Sequence, residues 1–580
     1  MKKTPIPCCH LRYAFRLYQY QPLPFGQSPC SRAEICHSFR INFPYSTIIM
    51  TQTLRIFVLG LLLAPNFIQA DNERPNIVFL FSDDLTTQAI SAYNYGLELP
   101  PTPNFDRLAR DGMLFENSFC GNSICTPSRA TVMTGLHSHK NGIVNLGGAL
   151  DPRRPSWPKK LKQSGYTTAV FGKWHMKTKP SGFDDWEVFS GQGSYYNPDL
   201  YSAQGNRRVE GHSTDVVTDV ALDWLDSRDK TRPFALLIQH KAPHRNWKPS
   251  LKELELYRDI TLPEPPSLFD DYESRVAAKN HKMGIDQHMR MASDLMLFQG
   301  DEAQKVLSRF TPEQREAYLA AFEKENKAFL ENPPTGKALV RWKYQRYMKN
   351  YLRCVAGVDR NVGRVLDRLD ALNLTENTIV VYCADQGFYL GEHGWFDKRW
   401  AYEESLKMPL IVRWPGKVKK GSRSTAMVQN IDYAPTLLDM ADVKVDWDVH
   451  GISLLPLLKN GGVTPADWRH TIYYRYIDGG HGVAQHSAIR TKDYKLLHFD
   501  QPRNTAEEAS LWELFNLEQD PQEMSNLAGR AEHSAKLESM KKLFWQTRKH
   551  YDDTDESVWT NRGRNRFNDE DYIRPPRRRR

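Results

Sequence analysis

Short apolar, β-prone runs recur along this chain, and each stops abruptly at ionisable residues. Asn76 to Phe81 ends at Ser82-Asp83-Asp84, and Tyr166 to Phe171 runs into Gly172-Lys173-Trp174-His175. Pro233 to Gln239 reaches His240 and then Pro243-His244, and Thr378 to Ala384 ends at Asp385-Gln386. Continuous apolar runs without alternation suit strands buried on both faces, the condition of a parallel sheet. Between them lie helical stretches, among them Ser213 to Leu225 and a long one from about Tyr344 to Leu372. Strands alternating with helices predict an α/β fold with a large, mostly parallel sheet flanked by helices on both faces. Open sheets of this kind carry their sites outside the carboxyl ends of the strands. Asp83, Asp84, Lys173, His175, His244, Asp385 and Gln386 are therefore expected along one edge.

A further stretch, Cys125-Thr126-Pro127-Ser128-Arg129, continues through Ala130 to Thr134 and stops at Gly135. Pro127 has its φ preset for a first helical turn, Thr126 can serve as N-cap, and Gly135 is a good terminator. Cys125 is then expected at the mouth of a short helix, where free N–H groups and the positive end of the dipole favour an anion. Arg129, one turn on, faces the same mouth. Asp83, Asp84 and Asp385 are three carboxylates that share a small volume only if a cation neutralises them. Hard oxygen ligands, with Gln386 adding an amide oxygen, suit Ca²⁺, with Mg²⁺ as the alternative. Read singly, these segments are also compatible with helix caps and Asx-turns, and the lysines and histidines with surface or capping groups. Their common placement at strand ends favours the site.

Cys125-Thr126-Pro127-Ser128-Arg129, followed a turn later by Thr134-Gly135, resembles the signature of the type I sulfatases, the formylglycine-dependent branch of the alkaline-phosphatase-like superfamily. The resemblance covers about 75–560 and extends to Gly172-Lys173-Trp174-His175, Ala242-Pro243-His244, and Lys398 ahead of Tyr402-Glu403-Glu404-Ser405. It implies that Cys125 is converted to 3-oxoalanine (formylglycine) by a formylglycine-generating enzyme, and that the aldehyde hydrate is the nucleophile. It also implies one Ca²⁺ ion held by Asp83, Asp84, Asp385, Gln386 and an oxygen of residue 125. In the implied roles Arg129 holds the hydrate, Lys173 and Lys398 bind sulfate, His175 assists the hydrate hydroxyl, and His244 protonates the departing alcohol. One hydroxyl attacks sulfur; the second collapses to the aldehyde and expels sulfate, an elimination open to neither a thiolate nor a serine. Gln386 departs from the family pattern, which usually has Asn, sometimes His, after the third aspartate.

The Asp385-Gln386-Gly387 and Asp397-Lys398-Arg399 forms look most like bacterial polysaccharide sulfatases, including N-acetylglucosamine-6-sulfatase relatives. The implied substrate is a sulfated carbohydrate, with His481 and His486 as expected sugar contacts. Two other readings stand beside this one: a phosphomono- or diesterase of the same superfamily, and an unmodified protein that only binds sulfated glycan.

The rest of the chain sets its organisation. Met50 reads as a translation start, and 50–70 as a secretory signal peptide whose apolar core is too short for a membrane span. Residues 1–49 form an upstream segment without periodic pattern. The body then divides into a catalytic region, 71–460, with an insertion at about 245–340, and a C-terminal α+β region, 461–552, with an antiparallel sheet. A disordered basic tail is expected over 553–580. Secreted or periplasmic placement follows, without stable membrane insertion. The formal charge of +9 lies in the ends: residues 1–70 hold seven Lys/Arg against one acid, and the last ten hold five Arg against one Asp. The body between them is nearly neutral, which excludes nucleic-acid binding by a basic surface. Four of the eight cysteines fall before residue 70, so the body is no disulfide scaffold.

Overall fold

The computed structural model describes residues 74–275, 277–499, 512–554 and 567–574. The upstream segment 1–49, the signal-peptide span 50–70 and the terminal arginines lie outside the described residues.

In chain order the strands are β1 (Asn76–Ser82), β2 (Met113–Phe115), β3 (Ser118–Phe119), β4 (Thr167–Gly172), β5 (Asp185–Phe189), β6 (Asp199–Ser202), β7 (Gly205–Arg208), β8 (Phe234–Gln239), β9 (Thr378–Ala384), β10 (Leu410–Arg413), β11 (Ser422–Ser424) and β12 (Val428–Gln429), followed by β13 (Ile472–Tyr476), β14 (His486–Arg490), β15 (Tyr494–Phe499) and β16 (Trp512–Asn516). The helices that matter here are α1 (Cys125–Thr134), α2 (Ser213–Ser227), α3 (Pro312–Glu331), α4 (Gly336–Ala371) and α5 (Ser534–His550).

The main sheet has ten strands in the order β11-β2-β10-β9-β1-β8-β4-β5-β6-β7. Its centre, β9-β1-β8-β4-β5, is parallel, with Phe79 opposite Leu237 on one side and Val381 on the other. β10 runs antiparallel to β9 and β2, and β6 and β7 finish the far edge antiparallel. Every residue of β1 and β9 is buried, which is why these strands read as unbroken apolar runs. Side chains alternate between two cores. Ile77, Phe79 and Phe81 join α1 on one face, while Val78 and Leu80 join α2 and α4 on the other. Helix α4 starts ahead of its expected beginning at Tyr344. Its first turns are mostly exposed and carry no apolar stripe; the stripe opens with buried Tyr344, Tyr347 and Tyr351.

The second sheet, β13-β14-β15-β16, is antiparallel throughout, as expected for the C-terminal region. Tyr474, Leu497 and Phe515 join the core of the catalytic region, while Tyr473, Leu496 and Leu514 pack under α5. The two sheets thus share one core, and the described residues form one compact unit. The expectation of a disordered 553–580 tail is corrected in part. Backbone bonds tie 567–574 to an earlier loop, from Ile573 N–H to Lys177 C=O (3.0 Å) and from Lys179 N–H to Asp571 C=O (2.8 Å). The polar composition hid the anchor, Ile573, which packs on the main core.

A buried charged seam joins the two sheets. Glu403 takes Lys495 at 2.9 Å and Arg490 at 3.2 Å, and Lys495 also reaches Glu523 at 2.8 Å. Glu513 accepts the Tyr402 hydroxyl at 2.7 Å, and burial pushes its carboxyl up to about 7. The folded state then holds a proton that the unfolded chain releases near the ordinary glutamate pKa. The contribution of Glu513 to stability is therefore complete below about pH 4.5 and is lost as pH rises through about 7. In thermal melts between pH 5 and 8, Glu513→Gln is expected to lose on the order of 2 kcal/mol less stability than the wild type. Parallel pH curves for the two proteins would refute this.

Candidate active site

Strand order brings the expected residues together. β1 and β9 are neighbours with Ser82 opposite Ala384, so their carboxyl ends deliver Asp83-Asp84 and Asp385-Gln386 side by side. The Asp84 N–H donates to Asp385 Oδ1 at 3.1 Å. Asp84 is left-handed (φ 65°), which breaks the alternation that would send two consecutive side chains to opposite faces. Carboxylate oxygens of Asp83, Asp84 and Asp385 lie within 4.8 Å of one another, all fully buried.

Helix α1 begins at Cys125 itself, with extended Ile124 as N-cap, rather than being capped by Thr126. The Thr126 hydroxyl is spent elsewhere, donating to the His175 carbonyl at 3.0 Å and tying the helix to the end of β4. Gly135 ends the helix with φ 71°, as its sequence predicts. All ten residues of α1 are buried. Its polar side chains are therefore committed to partners: the Ser128 hydroxyl donates to the Asp385 carbonyl and accepts from Asn430 Nδ2 at 2.9 Å. Arg129 donates to Asp385 Oδ2 (3.0 Å) and to the Lys173 carbonyl (2.5 Å), and lies over the Phe81 ring.

Each carboxylate thus has its own cation. Arg129 holds Asp385, Lys173 holds Asp83, and Lys398 Nζ sits 2.5 and 2.6 Å from the two oxygens of Asp84. The Cys125 Sγ is 3.3 Å from Asp83 Oδ1 and 3.7 Å from Gln386 Nε2. His244 stands at the rim, its Nε2 3.8 Å from Asp84 Oδ2. Its Nδ1 rests on the Arg245 carbonyl and so carries a proton, leaving Nε2 turned towards the cluster. The expected metal ligands, Cys125, Arg129, Lys173, Lys398 and His244 thus meet in this cluster or at its rim, and the charge of Lys173 reaches the His175 ring.

Burial pushes the Cys125 thiol up to about 12, so unmodified it is no nucleophile near neutral pH. Burial raises Asp84 to about 6 against the pull of Lys398. Burial, and then the charge of Lys173, hold His175 and His244 well below the ordinary imidazole range. Lys398 is itself flanked by two left-handed non-glycine residues, Asp397 (φ 84°) and Arg399 (φ 99°), a strained segment of the kind found at functional sites. Asp397 holds Arg399 at 2.6 Å, Lys398 at 3.8 Å and His481 Nδ1 at 3.7 Å.

The donor set fits a hard divalent cation. Gln386 Oε1 is a buried acceptor without a hydrogen-bond donor, and Asp83 Oδ2 is met by the Lys173 ammonium. The amide nitrogen of Gln386 faces Asp84, and a half-turn about its last bond would exchange nitrogen for oxygen there. Three carboxylates against three cations leave the cluster neutral, so a divalent ion would add its full charge facing an anionic ligand.

Two expected sugar contacts part company. His481 comes from the C-terminal region and faces the cleft beyond His244. His486 does not: it is fully buried, its Nδ1 on the Ala484 carbonyl and its Nε2 taking the Ala401 N–H at 3.1 Å. Its place in β14, facing the shared core, makes it a structural histidine. Lys241 was not singled out in the sequence, although it follows β8 as closely as Asp84 follows β1.

Comparison with known proteins decides the family. The model of the Sulfatase family matches residues 75–443. The chain belongs to the sulfatase family. A second family model, N-sulphoglucosamine sulphohydrolase, C-terminal, matches residues 391–550 of this sulfatase. It is 43% identical over 520 residues to an N-acetylglucosamine-6-O-sulfatase of Bacteroides thetaiotaomicron, covering 87% of this chain and 92% of that protein. It is 26% identical over 459 residues to the human N-acetylglucosamine-6-sulfatase, covering 74% and 72% of the two chains. Its fold matches the solved structure of BT4656 in complex with its substrate D-glucosamine-2-N,6-O-disulfate, with a TM-score of 0.80 and 42% identity over 83% of this chain and 99% of that one. Sulfatases hydrolyse sulfate esters, and this chain is an enzyme of that kind.

Asp397 touches Lys398, Arg399 and His481 without entering the carboxylate cluster, so Asp397→Asn would loosen two cations and an imidazole at once. It is expected to lower kcat/KM about 10–100-fold, a range typical of groups that orient others at a site. Steady-state kinetics on a sulfate ester checks this.

Proposed function

We propose that this sulfatase removes the 6-O-sulfate of glucosamine residues in a glycan. The observation that carries the reading is the buried cluster itself, with Cys125 at the head of α1 against three carboxylates and three cations, and His244 at its rim. The 43% identity to an N-acetylglucosamine-6-O-sulfatase supports the choice of sugar. Residue 125, converted to formylglycine by a formylglycine-generating enzyme, would supply a hydrated-aldehyde nucleophile, and one Ca²⁺ on Asp83, Asp84, Asp385 and Gln386 would supply positive charge for the sulfate oxygens.

The chain's own side chains do the rest. Lys173 and Lys398 bind the sulfate oxygens, and Arg129 fixes residue 125 from one turn further along α1. Most of the rate enhancement then comes from preorganised charge in a site closed to water. His175, with its Nδ1 unpaired, is placed to handle the proton of the nucleophilic hydroxyl. The anionic sulfate ester would draw a second proton onto His244 at Nε2, which then passes it to the departing sugar oxygen, and its position at the rim places the sugar in the cleft outside it. Residues 71–460 act as the catalytic region, and 461–552 lend it His481. No helix of the described residues is long and apolar enough to cross a membrane. The signal-like 50–70 span supports a secreted or periplasmic location.

Sulfate release from N-acetylglucosamine 6-O-sulfate, measured against release of phosphate from the matching phosphate ester, tests the reading. Sulfate turnover is expected to dominate, to fall by at least about 10³-fold in Cys125→Ala, and to be lost on chelation. Peptide mass analysis should find formylglycine at residue 125. A preference for phosphate, or full activity with an intact thiol, would overturn it.

A further inference from the structure

The cleft outside His244 has a charge pattern that desulfation of a single ester does not require. Its volume is about 540 Å³, and no aspartate or glutamate is among its lining residues. The cations lining it include Lys241, Arg245, Lys248, Arg290 and Arg309. Two are already neutralised: Arg245 is held bidentately by Asp294 (3.0 and 2.6 Å), and Arg309 by Asp199 at 3.0 Å. Arg290 is exposed at the edge.

Lys241 and Lys248 differ from these. Lys241 is only 5% exposed, and its ammonium stands over the Tyr195 ring, 5.0 Å from the centroid. Lys248 is half-buried. Among the described residues neither ammonium makes a hydrogen bond or ion pair with an acid. Asp84 acts on Lys241, and Asp294 on Lys248, only through space, their carboxylates being engaged by Lys398 and by Arg245 and Asn246. Burial and then the charge of Lys241 pull Lys248 down to about 8, and burial does the same to Lys241. Two neighbouring, partly desolvated ammonium groups without a contacting counter-charge are costly to a folded protein. Such an arrangement is repaid when an anion enters. The three cations of the catalytic cluster each have a carboxylate, so these two lysines are not needed to balance it.

We infer that Lys248, with Lys241 behind it, forms a second anion subsite, which selects substrates bearing a further sulfate or carboxylate next to the ester that is cleaved. The inference rests on the reading of the cleft as the sugar site. The ligand chemistry is an oxyanion two to three bonds from the sugar ring, either an N-sulfate on the same glucosamine or the carboxylate of an adjoining uronic acid. Tyr195 supports the subsite from below: its ring faces Lys241, and its hydroxyl donates to the His244 carbonyl at 2.6 Å. Occupation of the second subsite and placement of the proton donor therefore share one side chain.

The test uses the full-length enzyme on glucosamine 6-O-sulfate carrying a free amine, an N-acetyl or an N-sulfate group, and on an N-acetylated 6-O-sulfated disaccharide with an adjoining uronate. The Kd of Cys125→Ala for the same four ligands is measured by calorimetry, so that binding is read without turnover. One of the two anionic ligands is expected to be favoured over N-acetylglucosamine 6-O-sulfate by about tenfold in both kcat/KM and Kd, and the arm that shows it identifies the source of the oxyanion. Lys248→Met should shrink that preference to within about twofold, and Lys248→Arg should keep most of it. Wild-type enzyme without a preference, or Lys248→Met weakening all four ligands alike, would overturn the subsite. Desulfation without preference would remove the subsite and leave the sulfatase reading in place. A binding preference that depends on Lys248, with no 6-O-desulfation of any ligand, would do the reverse.

Discussion

Three carboxylates buried within 4.8 Å of one another are the constraint on which the rest of this molecule depends. Unpaired, each would carry a desolvation cost of several kcal/mol. The chain meets that cost with cations from separate parts of the sequence: Arg129 from the first turns of α1, Lys173 from the end of β4, and Lys398 from the loop between β9 and β10. These parts can meet only if β4, β8, β1 and β9 are ordered as they are. The parallel centre of the sheet is therefore a requirement of the site as much as its support.

The same logic explains why α1 is buried on all sides. A helix with no exposed face must satisfy its polar side chains internally, and Ser128 and Arg129 do so by bonding to the Asp385 segment and the Lys173 carbonyl. The position of Cys125 is thereby fixed by bonds made further along the helix, through Thr126 to β4 and through Ser128 to β9. The loop bearing Lys398 is held in turn by Asp397 and by the C-terminal region, whose sheet shares its core with the catalytic region and sends His481 into the cleft. The C-terminal region is thus part of the site.

Charge is graded from the centre outwards. The innermost cations are paired one to one, whereas Lys241 and Lys248 in the cleft are not. A cleft lined by one sign of charge focuses field lines on its mouth and draws in anionic ligands. The gradient suits a polyanionic glycan, since an anion attracted at the rim meets stronger fields as water is excluded.

Much of this was legible before any coordinates. The strands that end in Asp83-Asp84, Lys173, His244 and Asp385 fall within a residue or two of their expected bounds, because strands buried on both faces leave continuous apolar runs. The Cys125 segment and its Gly135 terminator were likewise readable, since proline and glycine act locally on φ. What could not be read depended on partners distant in the chain. The Thr126 hydroxyl looked like a cap until β4 supplied a carbonyl for it, and His486 looked like a sugar contact until pairing turned it into the core. Lys241 and Lys248 were ordinary lysines in sequence; what sets them apart is that, among the described residues, no acid pairs with either directly, Asp84 and Asp294 being engaged by other cations. The amino-acid sequence by itself fixed the residue types of the site and the strands that carry them, because burial and backbone preference are local properties. Only the tertiary structure decided which charges are compensated and which are left for a ligand, because that depends on distances between segments hundreds of residues apart.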